Sequence, residues 1–328
     1  MAIISWIVYY KTILPRTDNV LKATRGLTFV LAALSLAAIL VIAIFSGASL
    51  WLLLILLVIF AIQYLIYPII FVFGLEKVSV ESIGREDLAK FANDLARSRR
   101  FNRRIDVYVA DIGAPNAFAV SNILKNVVVI DKRLLSILDE NELRAVIAHE
   151  VGHIVHFDNG FTMGLSLLPY LLQVLGYSLL IGAILYAQSP TPSRDEKGAL
   201  AKVVGVVWMF LAALFLLVLG SLVMIPVLAF GRVREHLADL VAIDSLKDNY
   251  ITSVLLKIEQ YYENMARKKS VLGFGRPSLR AMLYIVPGFA DGYMLNINVL
   301  DVLKTVFSTH PSTPARAYVC LRRLQEIR

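Results

Sequence analysis

His149-Glu150-Val151-Gly152-His153 decides how the rest of this chain is read. On an α-helix, positions i and i+4 share one face, so the two imidazoles can bind one zinc ion. Glu150 sits one step round the helix, within reach of a water on that metal, whose proton it can take. Zinc lowers the pKa of such a water toward neutrality and polarises a scissile carbonyl. The bland alternative is a helix with two surface histidines. With five histidines in 328 residues, the pattern arises by chance in roughly a few chains per thousand, and its setting argues against accident. Asp139 is an N-cap candidate with Glu142 three residues on, a capping-box arrangement. Leu143, Ile147, Val151 and Ile154 form an apolar stripe opposite the histidine face. The motif therefore falls in the middle of a well-marked helix, as the chemistry requires.

Outward from that helix, the chain is 58% apolar with a mean hydropathy of +0.67. This is too apolar for an ordinary soluble enzyme and indicates the membrane class. The net charge of +8 fits contact with an anionic cytoplasmic leaflet. No basic, aromatic-interleaved motif supports nucleic-acid binding. A single cysteine, Cys320, excludes an intrachain disulfide, and zinc-ribbon spacing is absent. Any metal is therefore held by histidine and carboxylate.

Residues 1–25 mix Trp6, Tyr9 and Tyr10 with Lys11, Arg16, Lys22 and Arg25 and read as a cytoplasmic interfacial segment rather than a cleavable signal. Residues 26–75 carry no charge and form a transmembrane hairpin, with spans near 27–45 and 50–73 and a turn at 46–49. Tyr64, Tyr67 and Pro68 suit an interface. Residues 76–158 are polar and mixed: a helix over Glu86–Arg100, a strand over Ile105–Ala110, and a hairpin of Asn116–Val120 with Asn126–Ile130, then the motif helix. Residues 159–231 form a second transmembrane hairpin, with spans near 161–187 and 203–229 around a polar loop at 188–202. Residues 232–328 are polar and mostly helical, most clearly over 249–269 and 314–327. Lys and Arg concentrate in the N-terminal and 76–158 segments, which orients both termini and the motif to the cytoplasm. The expected fold is an α-helical membrane protein with four transmembrane helices and a cytoplasmic α+β domain.

The third ligand follows from topology. His153 lies just before the third span, and Arg232-Val233-Arg234-Glu235-His236-Leu237-Ala238-Asp239 lies just after the fourth. Spans joined by a short loop pack antiparallel, which returns Glu235 to the membrane face that carries the histidines. Asp239 shares the face of Glu235 and is placed to hold a ligand histidine or an arginine. His236 competes for the metal but points about 100° away; the shared face with Asp239 favours Glu235. Two His, one Glu and an open position is the arrangement of catalytic zinc sites. His156 reads as an interface residue, since residues 156 and 159 depart from the longer metzincin pattern. All five histidines fall within 149–156, 236 and 310.

HEVGH, the later Arg-Glu-His-Leu-Ala-Asp and the four apolar stretches together resemble the HtpX family of membrane zinc metalloproteases, gluzincins related to the CAAX prenyl proteases. The resemblance extends over most of residues 25–328, and it implies roles residue by residue. His149, His153 and Glu235 would bind one Zn2+ per chain, with Glu150 as the base. Asn116, Ala117, Phe118 and Ala119 match the family's Asn-Ala-Phe-Ala stretch and would line the substrate cleft beside an edge strand. His310, followed by Pro311, would stabilise the developing oxyanion, and Arg316 would pair with Asp239. The family commonly has Tyr where this chain has His236.

The function expected is an endopeptidase of misfolded or damaged membrane proteins in the cell (inner or plasma) membrane, working in quality control and stress response. Its partners would be membrane-protein or unfolded polypeptides and the bilayer. One alternative is processing of lipidated peptides, which four spans are too few to enclose. The other is a non-cleaving scaffold or sensor, against which the intact Glu150 speaks. Residues 115–120 are expected to accept the substrate backbone by β-augmentation, and the zinc to sit at or just outside the cytoplasmic membrane surface.

Overall fold

The computed structural model describes Val58, residues 61–66, Ile69, Val72 and residues 75–190, 196–269 and 310–328. The expected interfacial segment 1–25, the first span, the 46–49 turn and most of the second span lie outside the described residues. The chain divides into two compact units, one of residues 1–29, 50–162 and 228–328, the other of residues 30–49 and 163–227.

The first unit holds a four-stranded sheet. Its strands are β1 (Lys77–Ser79), β2 (Asp106–Ala110), β3 (Ala117–Ser121) and β4 (Asn126–Asp131), in the order β1-β2-β4-β3. The expected hairpin is β3–β4, antiparallel, with Phe118 opposite Val129. β2 runs parallel to β4, Val107 opposite Val128. Val127, Val128, Val129 and Ile130 form a continuous buried run, the pattern of a strand covered on both faces. β3 alternates between the two layers. Ala117 and Ala119 join the larger core, whereas Phe118 and Val120 pack with Val72, Ile112, Val127 and Val129.

Helix α1 (Glu86–Ser98) buries Leu88, Ala92 and Leu95 in that larger core, and a short helix α2 (Leu134–Ile137) leads to the motif helix α3 (Glu140–Val155). The expected capping box is present: Glu142 N–H donates to Asp139 Oδ1 and Asp139 N–H to Glu142 Oε2, each at 2.9 Å. Glu142 also receives Ser253 and Lys257, both at 2.6 Å, which ties α3 to α6 (Tyr250–Lys269). Leu143, Ile147, Val151 and Ile154 are buried, as their spacing requires. The opposite face is buried too, with Ala145, Ala148 and His149 inside, so the one-sided stripe underestimates how deeply α3 lies. α3 stops at His156, and Phe157 takes φ 57°, a left-handed turn unusual for a residue with a side chain. The chain there reverses into α4 (Asp158–Gln188).

α5 runs unbroken from Glu196 to Leu246, 51 residues with Pro226 inside. This corrects one expectation and extends another. The polar loop is shorter than 188–202, because residues 196–202 are helical. The fourth span and the Glu235 segment are one helix, because Arg232–Leu246 supplies good helix formers with no breaker after Gly231. α7 (Thr313–Ile327) closes the chain.

The second unit pairs α4 with α5. Gly176 faces Leu217, Gly220 faces Gln173, Gly182 faces Met209 and Gly205 faces Tyr186. These pairs run in opposite directions along the chain, so the helices are antiparallel, with small residues at the close approaches as in membrane helix pairs. Both helices are long and apolar enough to cross a membrane, and only 28% and 11% of their most apolar windows are buried.

Candidate metal centre

α3 delivers His149 and His153 one turn apart, and α5 brings Glu235 against them. The His149 and His153 Nε2 atoms lie 3.1 Å apart. Glu235 Oε2 is 3.6 Å from His149 Nε2, and Oε1 is 3.5 Å from His153 Nε2. One ligand atom from each of the three residues falls within 4.8 Å of the others. Among the described residues this group is the one with metal-site geometry.

The far side of each imidazole faces a carboxylate. His149 Nδ1 meets Asp239 Oδ1 at 2.9 Å and His153 Nδ1 meets Asp158 Oδ2 at 2.6 Å. An Nδ1–H donating to each carboxylate leaves a lone pair on each Nε2. Two such lone pairs 3.1 Å apart beside a carboxylate repel one another, and a cation between them removes the conflict. Neutral imidazoles aimed by second carboxylates are the usual supports of a metal, so this donor set fits the ion the sequence implies.

Each carboxylate is in turn held by an arginine. Arg316 of α7 donates Nε to Asp239 Oδ2 at 2.8 Å and Nη2 to Oδ1 at 2.5 Å, and its Nη1 lies 3.3 Å from Glu235 Oε2. Arg234 of α5 pairs with Asp158 and also donates to the His156 carbonyl at the end of α3. Arg316 with Asp239 was anticipated; Asp158 and Arg234 were not. Their signals were available, since Asp158 is the last charge before the third apolar stretch and Arg234 directly precedes Glu235. The left-handed Phe157 folds Asp158 back onto His153 five residues earlier.

Glu150 is buried beside the ligands. Burial pushes its carboxyl above the ordinary carboxylate value, opposed by His149 and His153 and reinforced by Glu235. Glu235 is held well below that value: burial opposes its ionisation, but His310, His153 and Arg316 outweigh it. Asp239 is lowered by Arg316 and His149 against its own burial. His310 sits with Nδ1 3.2 Å from Glu235 Oε1. The His149 side chain is 1% exposed, against 16% for His153 and 11% for His310. Among the described residues, the group is most open on the His153–His310 side.

His236 is buried on α5 and outside the ligand group, and burial lowers its pKa to about 4. His156 also stays outside, lowered by burial and by Arg234 to about 4. Asn116 is buried just before β3, its carbonyl accepting from Asp131 N–H at 2.8 Å. Ala117, Phe118 and Ala119 lie on β3, which is an edge of the sheet among the described residues and packs on α3. Asn116 O and Asn122 N bond toward β4, so the alternation of an antiparallel pair turns the backbone of residues 117, 119 and 121 outward. One outward group is already used, since Asn159 donates to the Ala119 carbonyl at 3.1 Å.

The family model that matches this chain is peptidase family M48, over residues 83–324. A protein called protease HtpX homolog from Archaeoglobus fulgidus is 30% identical over 310 residues, which cover 90% of this chain and 83% of that protein. Another of that name, from Picrophilus torridus, is 33% identical over 200 residues, covering 59% of each. The crystal structure of S. mikatae Ste24p aligns with a TM-score of 0.49 and 17% identity, covering 90% of this chain and 63% of that one.

Proposed function

The chain belongs to peptidase family M48, in its HtpX group, and on that premise we propose a zinc-dependent endopeptidase that cleaves misfolded or damaged membrane proteins at the cytoplasmic membrane surface. It is a membrane metalloprotease, and its substrates are polypeptides. The observation that carries the zinc-dependent part of this reading is the convergence of His149 Nε2, His153 Nε2 and Glu235 within 4.8 Å, each histidine backed by its own carboxylate.

In this reading His149, His153 and Glu235 hold one zinc ion. A zinc ion so bound lowers the pKa of a water and polarises a carbonyl. Glu150, buried beside the ligands, takes the proton of the attacking water and hands it to the leaving amine. His310, on the exposed side of Glu235, donates to the developing oxyanion. Asp239 and Arg316 hold His149, and Asp158 and Arg234 hold His153. The substrate backbone adds to β3 through residue 117 and the Ala119 N–H, beside Asn116.

The architecture proposed around this site keeps the expected arrangement. A 1–25 interfacial segment and a 26–75 hairpin precede the 76–158 part with HExxH, and a 159–231 hairpin precedes the 232–328 part with the third ligand. This gives four spans with both termini and the site on the cytoplasmic side. Glu235 follows the apolar stretch of α5 by only a few residues, which supports a site at the membrane surface. The test is cleavage of a model membrane protein by the full chain in vesicles. Activity lost to a zinc chelator and restored by zinc is expected, whereas cleavage indifferent to the chelator would sink the reading.

A further inference from the structure

The β3–β4 hairpin turns at Asn122-Ile123-Leu124-Lys125. Asn122 builds the turn: its Oδ1 accepts from Leu124 N–H at 2.8 Å and Lys125 N–H at 2.9 Å, and its own N–H donates to the Lys125 carbonyl at 2.9 Å. The two apolar side chains between are thrown outward, Ile123 62% and Leu124 67% exposed. These large apolar side chains bury little against the described residues.

The other end of the Asn122 amide reaches a helix. Its Nδ2 donates to the Tyr64 carbonyl at 2.9 Å and the Leu65 carbonyl at 3.0 Å, within helical residues 61–66. In a helix the Tyr64 carbonyl would receive the N–H of residue 68, which is proline and has none. Asn122 thus satisfies a carbonyl the helix cannot, and the sequence itself fastens the tip to this point. Val58, Ile62, Ile66 and Ile69, each helical, are exposed, and their spacings of four, four and three residues suit one helical face. Asn122 thus holds the apolar tip beside the helix that carries these exposed side chains. Basic groups lie near the tip: Lys125 in the turn, and Arg103 donating to the Asn122 carbonyl at 2.7 Å; Arg104 is exposed too but pairs with Asp106 and Glu81. Apolar side chains rimmed by cations suit an anionic bilayer interface.

We infer that the Ile123–Leu124 tip inserts into the lipid bilayer and seats edge strand β3 at the membrane interface. This rests on the reading of residues 58–72 as part of a membrane span. It gives β3 a substrate source: a segment lifted from the bilayer meets the strand at its tip end.

Cys320 is the only cysteine and is buried, so single introduced cysteines report cleanly. Leu124→Cys, Ile62→Cys and Arg97→Cys carry an environment-sensitive fluorophore in the full chain, reconstituted in phosphatidylcholine–phosphatidylglycerol vesicles. Blue-shifted emission quenched by brominated lipid is expected at 124 and 62 but not at 97. Quenching at 62 with water-like emission at 124 overturns the proposal. A blue shift at 124 without lipid quenching assigns the tip to a protein partner and also overturns it. No quenching at 62 removes the span reading, and the proposal with it. As a functional arm, Ile123→Glu with Leu124→Glu should lower kcat/KM on a membrane-tethered substrate by about tenfold or more and leave casein cleavage unchanged. Equal loss on both substrates contradicts a role in the membrane.

Discussion

Gly152 lies inside HEVGH at the crossing of α3 and α5, and replacing it by alanine should loosen the metal. A Cβ there would stand 2.9 Å from the Ala238 backbone Cα and 3.3 Å from the Ala238 and Val241 Cβ atoms. Carbon atoms settle at about 3.5–4.0 Å, so the helices must part by roughly 0.6 Å or more at this point. Ala238 is one turn from Glu235 on α5, so the movement carries the third ligand away from both histidines. Metal sites hold their distances to within about 0.2 Å, and the added methyl therefore cannot be absorbed without cost to the site. Overpacking of this kind typically costs about 1–3 kcal/mol. Taken wholly in metal binding, that is roughly a 5- to 150-fold loss of zinc affinity. The assay is competition against a chromophoric chelator, with the metal-free melting temperature measured alongside. Gly164→Ala is the control, since no described residue lies within 4 Å of a Cβ there; it should leave zinc affinity unchanged. A Gly152→Ala protein with wild-type zinc affinity and melting temperature would refute the argument that this close approach positions Glu235.

Three further outcomes follow from the same geometry. Asp158→Asn should weaken zinc binding about 10- to 100-fold, alter the absorption spectrum of the cobalt-substituted protein, and recover in Asp158→Glu; an unchanged affinity and spectrum would reduce Asp158 to a helix-terminal charge. Glu235→Ala should lose zinc while His236→Ala keeps it, read by metal analysis; the reverse result moves the ligand. Burial resists ionisation of Glu142, but Lys257, Ser253 and the Asp139 N–H overcome it and lower its pKa below 4.5. Its contribution is then present above pH 4.5 and lost as pH falls through the lower, folded-state value. Glu142→Gln should therefore destabilise the protein at pH 7 and converge with wild type in acid; a gap in melting temperature that persists at low pH would contradict this.

What could be read from the sequence was local or forced by topology. Asp139 and Glu142 announce the start of α3 because a cap is a three-residue event. Glu235 could be found because a short loop makes two spans antiparallel. Arg316 meets Asp239 across 77 residues of chain, and no periodicity marks such a pair; only the family resemblance suggested it. Asp158 and Arg234 escaped notice because the fold-back at Phe157, which brings Asp158 to His153, depends on a left-handed residue that is not a glycine. The burial of α3 on all sides was hidden as well, since its second face is covered by segments distant in the chain. Gly152 looks like a filler position in the motif until Ala238 is seen against it.

The central claim is that this group of residues is a hydrolytic zinc site with Glu150 as its base and not a ligand. Zinc content and casein cleavage, measured on one preparation of the wild-type chain and of Glu150→Gln, test it most directly. The account predicts one zinc per chain in both proteins and cleavage abolished in the variant alone. A variant that loses its zinc, or that keeps near wild-type cleavage, would contradict it.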